Sequence, residues 1–313
     1  MIPTLKDVQA AVKRVSPYVH NTPVLTSGTI DRMLEASVFF KCENFQRMGA
    51  FKIRGATNAI LQLSDEERAR GVITHSSGNF AAALALAART LDTKATIIMP
   101  SDAPAIKREA VAGYGARIIE CAPGLKSRES TMKAQQKKTG ETFIHPANDM
   151  NVILGNSTAV MEMAREVDTM DVVIAPVGGG GLLAGTALAT NHLSYYIETI
   201  GAEPFGADDA YLSLKTGKIQ PSINPKTIAD GLRTQLGDQN FPIIQKFVSK
   251  IIRVEESEII EAMRFIWERM KIVIEPSSAV AVAALFRNRS EFKRRKIGVI
   301  LSGGNADLDH LPF

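Results

Sequence analysis

Short runs of apolar, β-branched residues alternate with helix-like stretches along most of this chain, and that alternation limits the fold more than any other feature. The runs GVITHSS (71–77), KATIIMP (94–100), ARIIECA (116–122), VVIAPV (172–177) and IGVILS (297–302) read as buried parallel strands. Between them, residues 80–90, 104–113, 127–138 and 182–192 carry helical patterns. Such alternation predicts an α/β protein whose parallel sheet is covered by helices on both faces. Residues 71–148 hold three or four strand–helix units by themselves, flanked by a second α/β system. The expected organisation is a large domain from residues 1–70 and 149–313, with a smaller α/β domain, 71–148, inserted into it. A chain of 313 residues is long enough to bury a core in each.

Composition excludes several classes of function. The chain is 45% hydrophobic and 22% charged, and its net charge of +4 is mild for its length. The basic run Lys293, Arg294, Arg295, Lys296 directly precedes IGVIL and has no interleaved aromatic residue. It reads as a solvated loop before a buried strand, so no nucleic-acid partner is expected. The two cysteines, Cys42 and Cys121, lack metal-ligand spacing and suit a reducing, cytoplasmic setting. The opening stretch MIPTLKDVQAAVKRV is charged throughout, as an amphipathic helix is and a signal peptide is not. The longest apolar run, AAALALAA (81–88), is too short to cross a bilayer, so no membrane partner is expected.

In open α/β sheets, ligands bind beyond the carboxyl ends of the strands. Four stretches are expected there as loops: SSGNF (76–80), GGGGLLAG (178–185), GAEPFGADDA (201–210) and LSGGN (301–305). The four glycines Gly178 to Gly181 let the backbone approach a ligand, and they lead into a helix N-terminus that favours an anion. A Rossmann fingerprint would need glycine where Leu183 stands, and a P-loop would need lysine where Thr186 stands. What remains is a phosphate cup without nucleotide features. Ser77 and Asn79 are also ordinary helix-capping residue types, yet the same Ser–Gly–Asn composition recurs at Ser302 and Asn305. One more residue stands apart. In QRMGAFKIRGA (46–56), Lys52 sits among small and apolar residues at the mouth of a helix, where a cation opposes the helix dipole. A surface lysine at a helix start is the ordinary explanation, and an amine held for chemistry, such as a Schiff base with a carbonyl cofactor, is the other.

These separated motifs, in this order, resemble the fold-type II pyridoxal-phosphate enzymes, a two-domain tryptophan synthase β-like fold, and among them the serine/threonine dehydratase and serine racemase group with its 3-hydroxyaspartate dehydratases. The resemblance runs from SPYVHNTPVLTS to LSGGN. It implies that Gly49, Ala50, Phe51, Lys52 are the family's lysine stretch, with Lys52 bound to pyridoxal phosphate and Phe51 packed on one face of its ring. It implies further that Asn79 bonds the cofactor's 3′ oxygen and that Gly178, Gly179, Gly180, Gly181 and Leu182 form the phosphate cup. Ser302 is expected at the pyridine nitrogen and Gly231 beside the ring. A serine there, unlike an aspartate, cannot hold the nitrogen protonated, which favours loss of a β-substituent over transamination. Lys52 must act as a neutral amine, so its site is expected to depress its pKa. Ser77 matches the hydroxyl on the opposite face of the ring, which moves a proton there in the racemases.

The same resemblance assigns Ser76, Ser77, Asn79 and Phe80 to the substrate loop and Arg128 to a second substrate carboxylate. Glu203, Ala207 and Asp209 match a divalent-cation loop, for Mg2+ or in its place Ca2+ or Mn2+, although two carboxylates six residues apart are by themselves an ordinary acidic turn. Three departures stand out. Phe80 replaces a histidine, Ala147 an asparagine, and Gly155–Thr158 with Asn156 replaces Gly-Gln-Gly-Thr; Phe80 in particular implies a more apolar substrate pocket. The expected activity is β-elimination of water from a hydroxy amino acid, giving a 2-oxo acid and ammonia. Amino-acid racemisation by Lys52 and Ser77 is the alternative, and a cytoplasmic homodimer the expected form.

Overall fold

The computed structural model describes residues 2–103 and 105–313. Two sheets organise it. The larger contains β1 (Val24–Leu25), β2 (Ser37–Cys42), β7 (Val172–Pro176), β8 (Glu198–Pro204), β9 (Val248–Val254) and β10 (Lys296–Leu301), in the spatial order β1-β2-β10-β7-β8-β9. Only β1 runs antiparallel to its neighbour. The smaller sheet is wholly parallel, in the order β5 (Arg117–Cys121), β4 (Ala95–Pro100), β3 (Val72–His75), β6 (Thr142–Phe143). Its strands all come from the segment between residues 72 and 143.

The predicted strands and helices are present, with ends shifted by a few residues, as fraying ends and short turns allow. The helix expected at 104–113 occurs as Ala105–Gly113, its first residue lying outside the described ones. One stretch needs correction. Residues 201–204, expected as loop, complete β8, because Gly201 and Ala202 are buried and pair with Ile251 and Ile252 of β9. The turn begins only at Phe205. Helices Met150–Glu166, Glu256–Met270 and Pro276–Arg287 also lie beyond what the alternation announced.

The helix Lys52–Leu61 joins the two sheets. Its Ile53, Ala56, Ala59 and Ile60 enter the core of the smaller sheet with Phe80, Leu84 and Ile97. Its other side crosses the helix Met150–Glu166 so closely that a Cβ on Gly55 would lie 2.8 Å from Val152 Cγ1 and 2.9 Å from its carbonyl. Arg54, on the same helix, is completely buried. Its Nε donates to Glu43 Oε2 at 2.7 Å, and Nη1 and Nη2 donate to the two oxygens of Glu162 at 2.7 and 2.6 Å. Lys41 Nζ joins this buried cluster 3.0 Å from Glu162. Its charges are matched two against two, which makes the burial tolerable.

Candidate active site

Lys52 is placed by the chain that follows β10. Phe51 N–H donates to Ser302 C=O at 3.0 Å, Ala50 bridges to Gly303, and Gly304 N–H donates to Gly49 C=O at 2.9 Å. Gly49 has φ of +75°, and a Cβ there would collide with Asn305, so the stitch needs a glycine. These bonds set Lys52 beside Ser302, residues 250 positions apart in sequence, at the carboxyl end of the central strand.

The Lys52 amine donates to Pro146 C=O at 3.2 Å and lies 4.9 Å from the Phe51 ring centre and 5.9 Å from that of Phe80. Its side chain keeps some surface, but the amine is enclosed by protein. Burial brings its pKa down to about 8, with the Glu275 carboxylate pulling the other way. The depressed pKa expected from the sequence is therefore present, and desolvation is its cause.

The turn 76–80 follows β3 and opens the helix Asn79–Thr90. The N-cap is Gly78, and no side chain caps the helix. Asn79 is therefore not an ordinary capping residue: its Nδ2 donates to both oxygens of Glu275, at 2.9 and 3.1 Å, and its Oδ1 accepts from Asn305 Nδ2 at 2.9 Å. Ser76 Oγ accepts from Gly78 N–H, and Ser77 is half-buried. Phe80 is only 2% exposed and packs into the smaller sheet's core, so its ring presents little surface to the cleft. Arg128 lies near enough to His75, at the end of β3, to help depress the imidazole's pKa, burial being the larger cause.

Across the cleft, the glycine loop leaves β7 and enters the helix Gly181–Leu193. Gly180, the N-cap, has φ of +83°, and no side chain caps this helix. Among the described residues, the amides of Gly178 to Leu183 have no acceptor; the first bond is Ala184 N–H to Gly180 C=O. Free amides at a helix start are the kind of group that can hold an anion. Gly231 adjoins this loop: its carbonyl would lie 3.0 Å from a Cβ on Gly178, and its N–H donates to Ser277 Oγ at 3.0 Å.

One contributor, Glu275, escaped the reading of the sequence. Glu275 is buried, and burial pushes its pKa up to about 7, with Asp230 adding to the shift. His145 Nδ1 accepts from Ala147 and Asn148 N–H at 3.1 and 2.8 Å, which fixes the turn whose Pro146 carbonyl meets Lys52. That bonding and a pKa brought down to about 4, chiefly by burial, keep the imidazole neutral at pH 7. Ala147 has a geometric reason: a Cβ on Gly181 would lie 2.9 Å from its Cα, so the turn rests directly on the glycine loop. Asn156 is buried between helices, beside Gly55, and both its amide atoms lack partners. Glu275 precedes the helix Pro276–Arg287, and nothing in its sequence neighbourhood announces its place beside Asn79 and Lys52.

The acidic stretch gathers around the start of the helix Asp209–Thr216. Glu203 is buried, and its oxygens accept from Ala210 and Tyr211 N–H at 2.9 and 2.8 Å. Asp209 is 4% exposed, with neither oxygen met by a donor in hydrogen-bonding geometry among the described residues. Burial pushes Asp209 up to about 7 and Glu203 well above the usual carboxylate range. Among the described residues, no three His, Cys, Asp or Glu side chains form a metal cluster, so a cation here needs backbone oxygens such as that of Ala207. No described helix is long and apolar enough to cross a membrane.

A family profile described as pyridoxal-phosphate dependent enzyme matches residues 15–303. The chain is 46% identical over 312 residues to the β-hydroxyaspartate dehydratase of Paracoccus denitrificans (strain Pd 1222), covering 100% of this chain and 99% of that one. It is also 46% identical over 312 residues to the serine racemase of Dictyostelium discoideum, covering 98% and 96%. The solved structure of maize serine racemase superposes with a TM-score of 0.96 at 44% identity, covering 99% of this chain and 95% of that one.

Proposed function

Because the chain belongs to the pyridoxal-phosphate dependent enzymes and to their dehydratase and racemase group, we propose that it removes water from a 3-hydroxy amino acid, releasing a 2-oxo acid and ammonia. The observation that carries this reading is the Pro146–Ala147 turn, which meets a Lys52 amine of lowered pKa at one residue and a glycine loop with six free backbone amides at the next. That arrangement fits a small phosphorylated aldehyde. When bound, pyridoxal phosphate supplies the electron sink for bond breaking at the substrate α-carbon.

The residues divide the remaining work. Lys52 holds the cofactor's aldehyde carbon and, once released, takes the α-proton at its neutral Nζ. The amides of Gly178, Gly179, Gly180, Gly181 and Leu182 hold the phosphate. Phe51, Gly231, Asn79 and Ser302 would hold the ring when the cofactor is bound. The turn Ser76, Ser77, Asn79, Phe80 orients the substrate carboxylate, chiefly through backbone amides, and Arg128 receives a second carboxylate. The β-hydroxyl then leaves as water, and hydrolysis of the resulting enamine yields the oxo acid and ammonia. The name of the Paracoccus relative supports 3-hydroxyaspartate as substrate, with serine and threonine beside it.

Racemisation is the second reading, supported by the Dictyostelium relative and by a Ser77 hydroxyl not used as a helix cap. Glu203, Asp209 and the Ala207 carbonyl suit a hard divalent cation such as Mg2+, the buried and unpaired Asp209 carboxylate being the support. The smaller sheet is proposed as the inserted unit 71–148 and the rest, 1–70 and 149–313, as the larger one. The assembly is proposed to be a cytoplasmic homodimer, which light scattering tests.

Oxo-acid release from both enantiomers of serine, threonine and threo-3-hydroxyaspartate, with and without Mg2+, tests the activity. Chiral chromatography of the same mixtures separates the readings. Ser77→Ala is expected to slow interconversion of enantiomers by about 10²- to 10⁴-fold, as when one proton-transfer group is lost, while elimination from the enantiomer served by Lys52 is largely retained. Enantiomer formed faster than oxo acid by the unaltered protein would favour the racemase.

A further inference from the structure

Asn240 is completely buried, and its side chain bonds both the glycine loop and the turn that meets Lys52. Its Nδ2 donates to Gly179 C=O at 2.7 Å and to Ala147 C=O at 3.1 Å, while its Oδ1 accepts from Gly237 N–H at 3.1 Å. Both amide hydrogens and the amide oxygen are thus committed to backbone. One carbonyl belongs to the glycine loop. The other belongs to the residue after Pro146, whose own carbonyl receives the Lys52 amine.

We propose that Asn240 is a positioning residue that sets the direction of the Gly180 amide in the anion site and holds the Pro146–Ala147 turn, which the Lys52 amine meets, against the glycine loop. In a trans peptide the C=O and the following N–H point in opposite directions. Holding the Gly179 oxygen on Asn240 therefore aims the Gly180 N–H away from it, where no acceptor stands among the described residues. Among the described residues Asn240 is the one hydrogen-bond donor to the Gly179 carbonyl, while the rest of the loop is held by packing against Ala147, Thr234 and Leu236. A Cβ on Gly180 would come within 2.8 Å of Asn240 Oδ1, so the contact is close on both sides. The second bond, to Ala147, ties the same amide to the turn that meets Lys52. One side chain thereby sets the phosphate end of the site relative to its amine. This inference rests on the reading that the glycine loop holds the cofactor phosphate.

Asn240→Asp tests it. The substitution keeps size and the acceptor for Gly237, but presents an oxygen to the two carbonyls in place of the donor. In purified protein stripped of cofactor and titrated with pyridoxal phosphate, the dissociation constant is expected to rise by at least about tenfold. The 31P resonance of the bound phosphate is expected to move from its position in the unaltered protein. Asn58→Asp is the control for lost stability alone, since Asn58 is also fully buried but bridges Arg14 and Asn151 away from the glycine loop; it should lower the melting temperature without moving the resonance. If N240D does not fold, Asn240→Thr, with one donor for two carbonyls, is expected to weaken binding to a smaller extent and still move the resonance. Affinity and resonance unchanged in the folded variant would overturn the proposal alone. Absence of a bound phosphate resonance in the unaltered protein would overturn the cup itself, and the proposal with it.

Discussion

At the scale of single residues, the site runs on two groups whose burial opposes their charge. Lys52 is brought down to about 8 and Glu275 up to about 7. An amine must be neutral to attack an aldehyde, so the rate of pyridoxal-phosphate capture should rise with pH through about 8 and level off above it. Glu275 raises the Lys52 pKa, so Glu275→Gln should move that midpoint to lower pH, as followed by absorbance during loading. A midpoint unmoved by E275Q would show that the two groups are not coupled. Arg54 presents the opposite case, a charge buried with its partners. Arg54→Met leaves buried Glu43 with no cation in contact and Glu162 with Lys41 alone, and is expected to cost about 3–5 kcal/mol in urea unfolding. Burial alone would raise the Glu43 pKa, but Arg54 holds it below the ordinary value. The stabilising contribution of Glu43 is therefore complete above its unfolded pKa and is lost as pH falls through the folded one. The R54M deficit should accordingly be largest near neutrality and shrink in acid.

At the scale of elements, the site depends on backbones that approach more closely than side chains permit. The helices Lys52–Leu61 and Met150–Glu166 meet at Gly55 and Gly155. A Cβ on Gly155 would collide with Arg54 C=O and lie 2.7 Å from Gly55 Cα. Both obstacles are backbone, so neither rotates away. Gly155→Ala should therefore force the two helices apart, at a cost of about 1–3 kcal/mol. Because the displaced helix begins with Lys52, cofactor affinity should fall as well, measured by titration beside the urea midpoint. Normal affinity at reduced stability would mean that the helix start is held by its stitch to Ser302 and Gly303 rather than by this crossing.

At the scale of the whole molecule, the helix Lys52–Leu61 is shared between the smaller sheet and the rest. The core of the smaller sheet takes in Ile53, Ala56, Ala59, Ile60 and Val152, all outside residues 71–148. Expressed alone, 71–148 would expose the apolar face that these residues cover. It is expected to lack dispersed amide resonances, and adding residues 49–70 is expected to restore part of them. A well-dispersed spectrum from 71–148 alone would show that the smaller sheet needs no help from the lysine helix.

The alternation of apolar runs and helical stretches by itself determined the fold class, because strands buried on both faces, such as ATIIMP and VVIAP, read as continuous apolar runs. The glycine run and the misplaced lysine also announced themselves locally, since each breaks a rule that its neighbours obey. The end of β8 did not: GAEP has the composition of a turn and became strand only because β9 lies beside it. Asn240, Glu275 and Arg54 were equally silent. Each is an ordinary polar residue in sequence, and its role follows from which carbonyls, amides or carboxylates the fold brings within hydrogen-bonding reach. The sequence thus determined which chemistry was available, while packing decided which amine lost its water, which amides stayed free, and which side chains hold the two in register.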